Sequence, residues 1–417
     1  MTAAIAALGM TMALAGCGGS GAGDGDVTLK LLAADYGTNS DNSSEKYWQA
    51  LATQFEAQNP GIRIEVKIRP WKTIDTDVAT LVKEGKAPDI AQIGSYSNYA
   101  KQGKLYSADE LLSIPTQANF LSQLSEAGKV NRVQYGMPFA ASTRLLFYNE
   151  RLFENAGLTG APKDWADIKS DAEALKRLGV TTPIALPLGS EEAQSETLMW
   201  LLAGGGGYTD TADGSYSIGS QANIGTFRWL QKDLVGAGLT GPVAPGQLDR
   251  AQAFKAFTSG QVGMLNGNSA LLDEAKRQGI KVGTVPLPGV NGKARSTMGT
   301  TDWVMAFKQN NHRQEIGRFL DFAFQDKNVL SFVGQYDQLP VTYSASEKMA
   351  GDAKYADLNK FLATLSASEL FPYGKNSWST VAESLKKNIG KAVDPGGSPS
   401  GVLGQIARDA AAAEASE

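Results

Sequence analysis

Segments of two different periods alternate along the first part of this chain, and that alternation restricts the fold more than any other feature. Val27-Thr28-Leu29-Lys30-Leu31-Leu32 is rich in apolar and β-forming residues and predicts a strand. Between Ser43 and Gln58, Tyr47, Trp48, Leu51 and Phe55 recur at helical spacing. Asn59-Pro60-Gly61 stops that helix. Ile62-Arg63-Ile64-Glu65-Val66-Lys67-Ile68 then alternates strictly, as a strand with one apolar face does. A helix over 75–83 is broken by Gly85-Lys86-Ala87-Pro88, and Asp89-Ile90-Ala91-Gln92-Ile93 predicts a third strand. Strands separated by helices pair in parallel through crossovers, so the fold class is α/β. The same alternation continues. Strands are expected at 147–149, 262–265 and 282–285, and helices near 150–156, 165–178, 224–237, 314–325 and 383–393. The C-terminal Ala/Glu run is expected to end as a helix or to fray. No internal repeat is visible.

Composition narrows the function. The 417 residues, 42% hydrophobic and 20% charged, suit a globular chain of two or three domain equivalents. Net charge is −4 with both signs interspersed and no basic stripe, which argues against a nucleic-acid partner. A single cysteine leaves no disulfide framework, so buried cores must supply stability, and a chain of this size can build them. The lone His312 sits in the polar run Gln309-Asn310-Asn311-His312-Arg313, with nothing nearby to complete a Ser–His–Asp arrangement. Residue counts exclude zinc sites built from Cys or several His. The glycine run 204–207 leads into Tyr208-Thr209-Asp210, which is no phosphate loop. No catalytic residue, metal or cofactor is therefore assigned from the residues. The alternative from another class is a secreted glycosidase, which needs only two carboxylates about 5–10 Å apart.

The one cysteine is Cys17, in Leu14-Ala15-Gly16-Cys17, after an apolar run of small residues and before a Gly/Ser/Asp stretch over 18–26. This arrangement resembles a bacterial lipoprotein signal. The resemblance implies a leader over 1–17, lipid on the Cys17 thiol as first mature residue, and a flexible tether over 18–26. Such a tether spans roughly 15–20 Å. Residues 2–16 are too short to cross a bilayer, and no later stretch approaches that length. A secretory leader also carries basic residues, yet none precedes Lys30, so the expected start codon lies farther upstream.

The order of segments over nearly the whole chain resembles the extracellular solute-binding proteins of ABC importers, in the group that includes maltose-binding members. The residues that carry it are Phe55 to Val66 with its Asn-Pro-Gly turn, Ala87-Pro88-Asp89-Ile90, Tyr135-Gly136-Met137-Pro138, and Leu146-Phe147-Tyr148-Asn149. Leu152-Phe153, Ala156-Gly157-Leu158, Pro162-Lys163-Asp164-Trp165, Phe257 to Met264 and Leu339-Pro340-Val341 complete it. The resemblance implies a two-lobed periplasmic-binding-protein-like fold with discontinuous lobes and a multi-strand hinge. Carried over, it puts lobe I at 27–137 and 287–322 and lobe II at 138–286 and 323–417, with crossings near Pro138, near Pro286 and around 319–326. It also implies a monomer, tethered outside the membrane, that passes a sugar or polyol to permease subunits. A sensor or adhesin on the same fold is a further alternative.

Sugars present apolar ring faces and many hydroxyls, which aromatic rings and Asp, Asn or Ser side chains respectively satisfy. Loops at the carboxyl ends of strands should supply them. The matching loops give Asp35 and Tyr36, then Ser95 and Tyr96. In the second lobe the family's cleft-facing strand end falls on Asn266, Asn268 and Ser269. Asn or Ser stands there where several sugar binders carry Trp, which weakens any claim to a malto-oligosaccharide. The family's glycine loop falls on Thr301, Asp302 and Trp303, and its stacking aromatic on Trp378. Trp200 is expected either in the cleft or packed within its own helix. Trp71 is expected to be structural, and Trp48, Trp165 and Trp229 to lie in cores. Arg144 is expected in solvent, with an anionic ligand as its other use.

Overall fold

The computed structural model describes residues 26–37, 39–210, 212–293 and 296–416. Cys17, the leader and nearly all of the expected tether lie outside the described residues. The strands in chain order are β1 (Val27–Asp35), β2 (Ile62–Pro70), β3 (Ile90–Ile93), β4 (Lys129–Val130), β5 (Val133–Gln134), β6 (Met137–Thr143), β7 (Leu145–Asn149), β8 (Thr182–Ile184), β9 (Val262–Gly267), β10 (Val282–Val285) and β11 (Gly299–Ala306). They form two main sheets, β2-β1-β3-β11-β6 and β10-β7-β9-β8, and the small ribbon β4-β5. β1 lies parallel to both β2 and β3, with Leu31 opposite Val66 and Ile90.

The apolar run in β1 follows from its central place. Leu29, Leu31 and Ala33 face one core while Leu32 and Ala34 face another, so neither side can be polar. The helix Glu45–Gln58 buries Tyr47, Trp48, Leu51, Ala52 and Phe55, one stripe along its length. Gly61, at φ +93°, makes the turn into β2. In the first lobe Trp48 stacks on Phe139 at 5.0 Å, and Phe332 meets both Tyr47 and Phe139 edge-on. In the second lobe Trp165 packs against Trp200 and Trp229, with centroids 5.8 and 4.5 Å away.

Three crossings join the lobes. The chain leaves the first sheet between Thr143 and Leu145 and returns between Val285 and Gly299. It leaves for the last time after the helix Asn359–Leu365. The crossings are tied to one another: the Thr297 hydroxyl donates to the Arg144 carbonyl at 2.6 Å, and Thr297 and Glu369 bond through the backbone.

Two expected boundaries are corrected. Residues 138–143 belong to the first sheet, because β6 pairs with β11 along its length. Pro138 is accommodated there since β6 is the edge strand, where a missing N–H breaks no ladder. The stretch 319–326 is no crossing either. The helices Arg313–Ala323 and Asp326–Gln335 lay Phe319 on Phe55 and Phe332 on Tyr47, so they pack on the first lobe, not the second. Among the described residues no helix is long and apolar enough to cross a membrane.

Candidate functional site

A cavity of about 580 Å³ lies between the lobes. Trp71, Asp75, Ser95, Thr300 and Asp302 form its first-lobe wall. Glu191, Glu192, Arg250, Tyr373, Lys375, Trp378 and Lys386 are prominent across from them. Two first-lobe residues follow strand ends directly: Trp71 comes just after β2 and Ser95 just after β3, where α/β folds place their ligands.

Asp302 reaches the cavity from inside a strand. Alternation along β11 puts it on the same face as Thr300, while the register slip opposite Asp302 and Trp303 places its extra residue, Phe139, in β6. Tyr36 Oη donates to Asp302 Oδ2, and Gln92 Nε2 donates to Tyr36 Oη at 3.2 Å. Burial pushes the Asp302 carboxyl up to about 7, and the nearby carboxylates of Asp75 and Glu192 add to the rise. Asp75 sits in the first turn of the helix Ile74–Lys83 and accepts the backbone N–H groups of Gly94 and Ser95. Burial raises its carboxyl despite those bonds.

The second lobe contributes an ion cluster. Glu192 Oε1 lies 2.6 Å from Arg144 Nη2, and Ser195 Oγ donates to the same oxygen at 3.1 Å. Arg250 Nε lies 2.6 Å from Glu192 Oε2, an ion pair without hydrogen-bond alignment. Arg250 Nη2 donates to Glu191 at 2.7 Å. Burial works against the Glu192 charge, yet the two guanidinium groups hold its carboxyl below the usual range. Behind it, Glu196 accepts from Trp200 Nε1 at 2.7 Å and Asn266 Nδ2 at 2.9 Å, and burial pushes it up to about 7.

Three of the expected residues, Ser95, Asp302 and Trp378, line the cavity. Trp378 stacks on Phe371 at 5.0 Å and 26°. Tyr36 and Asn266 stand one contact behind, through Asp302 and Glu196. The others are corrected to structural positions. Asp35 spends its carboxylate on its own turn, accepting Gly37 N and Ser44 N, each at 2.9 Å, and Ser43 Oγ at 2.9 Å. Tyr96 is buried, with its hydroxyl on the Ala127 carbonyl at 2.6 Å and its ring on Trp303. Trp303 is fully buried between Tyr96 and Tyr373. Thr301 Oγ1 donates across the sheet to the Ala140 carbonyl at 2.9 Å. Asn268 caps the helix Ser269–Arg277 through Leu271 N at 3.2 Å, and Ser269 Oγ donates to the Asp337 carbonyl. Trp200 belongs to the second core.

Trp71, Asp75, Arg250, Glu191, Glu192 and Tyr373 were not expected in the site. The strand-end rule, applied to β1 and β3, would have found Trp71 had it been applied to β2. Arg144 is neither solvated nor free; it is buried on Glu192. His312 Nδ1 lies 2.9 Å from Asp89, which also accepts Lys30 N at 2.7 Å, so the histidine braces a loop. Among the described residues no three His, Cys, Asp or Glu side chains converge as a metal site.

The sequence profile of the bacterial extracellular solute-binding proteins matches residues 39–329. This chain belongs to that family. A binding protein of Brucella abortus (strain 2308) is 27% identical over 393 residues, with 92% of each chain covered. The sn-glycerol-3-phosphate-binding periplasmic protein UgpB of Brucella melitensis is 25% identical over 314 residues, 66% of each chain. Among solved structures, the cyclic α-maltosyl-1,6-maltose binding protein of Arthrobacter globiformis superposes with a TM-score of 0.79 at 17% identity, covering 94% of this chain and all of that one. The solute-binding protein described here thus has the two-lobed periplasmic-binding-protein fold.

Proposed function

We propose that this solute-binding protein captures a carbohydrate or related polyol in the interlobe cavity and presents it to ABC permease subunits from the outer face of the membrane. The observation that carries the reading is the cavity wall itself. Trp71, Tyr373 and Trp378 offer ring faces, and Asp75, Asp302 and Glu192 offer hydroxyl acceptors beside them. Ring faces beside hydroxyl acceptors suit the apolar faces and the hydroxyls of a pyranose. The site bridges two lobes joined by three tied crossings, so closing them would bury a ligand, a common motion for such folds. The names of the Arthrobacter and Brucella melitensis proteins, a cyclic α-maltosyl-1,6-maltose binder and an sn-glycerol-3-phosphate binder, support a polyol-like solute. Arg250, Lys375 and Lys386 each already hold a carboxylate, which favours a solute without phosphate.

A ligand that binds only the folded state stabilises it by about 2.7 kcal/mol at a hundredfold excess over Kd. A thermal-shift screen over sugars, sugar alcohols and glycerol phosphate should therefore find a ligand, and scattering should show compaction with it. Failure of every polyol to shift a folded chain would end this reading. Turnover of glycosides would instead favour the hydrolase. Attachment through lipid on Cys17 is part of the proposal. Cys17→Ala should move the protein from the membrane to the soluble fraction; retention in the membrane would refute the anchor.

A further inference from the structure

The interlobe cavity is unbalanced in charge. Five carboxylates and three cations line it, and each of the three cations is already engaged. Arg250 pairs with Glu191 and Glu192 at 2.7 and 2.6 Å. Lys386 lies 3.3 Å from Glu383, and Lys375 is bonded to Glu414. Asp75 and Asp302 are left over, and among the described residues no ion pair reaches either. Lys386 is the cation whose field Asp75 feels, but Glu383 holds it.

These two carboxylates share a wall with Trp71. That ring begins one turn before Asp75, and Tyr36, the donor to Asp302, meets Trp71 edge-on at 5.4 Å. We propose that the captured solute carries a protonated amine, held by Asp75 and Asp302 and covered by Trp71, so that its class is an amino sugar. The inference rests on the reading of the cavity as a carbohydrate site.

The chemistry follows from the imbalance. Asp302 is half-buried and Asp75 opens to the cavity, and a carboxylate crowded by a cavity wall without an ion-pair partner resists ionisation, as both do. A neutral sugar offers them hydroxyl donors but no compensating charge, and an anion worsens the imbalance. An ammonium group supplies three donors and the missing charge, and charge-assisted bonds are about twice as strong as neutral ones. The Trp71 ring face adds a cation–π contact.

The test uses the full chain, with calorimetry and thermal shift at about pH 7 and constant ionic strength. The probes are a glucosamine trisaccharide, its fully N-acetylated counterpart, maltotriose and spermidine. The glucosamine trimer should bind about ten- to a hundredfold more tightly than the acetylated one. Asp302→Asn, which keeps an oxygen for Tyr36 Oη, and Asp75→Asn should each erase most of that preference while melting as folded proteins. Equal or tighter binding of the acetylated trimer or maltotriose overturns the inference and leaves the carbohydrate reading standing. Binding of spermidine alone overturns both the amino-sugar assignment and the carbohydrate reading, and leaves an amine site of another class. No binding of any probe by a folded chain overturns both.

Discussion

Glu192→Gln separates the role of charge in the ion cluster from that of shape. The variant keeps the side-chain volume and an oxygen for Ser195, but it leaves Arg144 without its counter-ion. The Arg144 side chain is 7% exposed, against 24% for Glu192, so the stranded charge cannot simply turn to water. Its Nη1 already lacks a hydrogen-bond partner, and the other carboxylate in its field, Glu196, is itself disfavoured as a charge by burial. Breaking a buried pair in this way costs about 3–5 kcal/mol, and the partial exposure of Glu192 places the expectation near the lower end, about 3 kcal/mol. Glu191→Gln is the control. Arg250 and Glu191 are about one-third exposed, so that loss should stay under about 1 kcal/mol. The pH dependence has a definite sign. The folded Glu192 carboxyl lies below its ordinary value of 4.5, so its contribution is present above that value and is lost as pH falls through the folded one. Urea unfolding followed by tryptophan fluorescence at pH 7 and pH 4 measures both effects. A Glu192→Gln loss below about 1 kcal/mol at neutral pH, or a gap that does not narrow on acidification, would refute the argument.

Trp71→Ala should weaken ligand binding about ten- to a hundredfold by removing a ring face worth roughly 1.5–3 kcal/mol, with the melting temperature little changed, since the ring is only half-buried; calorimetry with the identified ligand checks it. Trp378→Ala should weaken binding similarly and also destabilise the second lobe, because that ring packs on Phe371 and Tyr208; a melt matching the wild type would contradict the packing account. Glu196→Gln should stabilise the protein by up to about 3 kcal/mol at pH 8 and by little near pH 4.5. The folded Glu196 carboxyl is raised to about 7, so the wild type loses stability as pH rises from 4.5 through that value; a gap that is constant with pH would sink the assignment.

The legible part of the fold is the part whose local pattern and tertiary environment agree. The helix Glu45–Gln58 buries the four residues whose spacing announced it, and Asn59-Pro60-Gly61 turns where Pro and Gly dictate. Elements whose surroundings are apolar on every side escaped notice. The helix Ala193–Ala203 is buried along almost its whole length, so no polar face exists to mark its period. The strand β6 is buried at all seven positions and carries a proline, two features that conceal a strand in sequence. The lobe boundary after 365 was hidden for a related reason. The aromatic faces of Phe319 and Phe332 announce that their helices pack, but not on which lobe.

The site divides along similar lines. Strand ends are visible in sequence, so a rule about strand ends found Ser95 and could have found Trp71. Asp302 and Trp303 show where the rule stops. They are neighbours in one strand, and alternation sends one to the cavity, on the same face as Thr300, and the other into the core. Alternation alone says that two adjacent strand residues face opposite ways; only the partner strand decides which way each faces. The ion cluster lies further from sequence still. Arg144, Glu192 and Arg250 come from a crossing, a loop and a helix start, and each in isolation looks like a solvated surface charge. Their meaning arises from mutual neutralisation, and that neutralisation is what singles out Asp75 and Asp302 as the cavity carboxylates that no ion pair reaches among the described residues. Ligand class in such a cleft is therefore set less by which charged residues are present than by which ones the protein leaves unpaired.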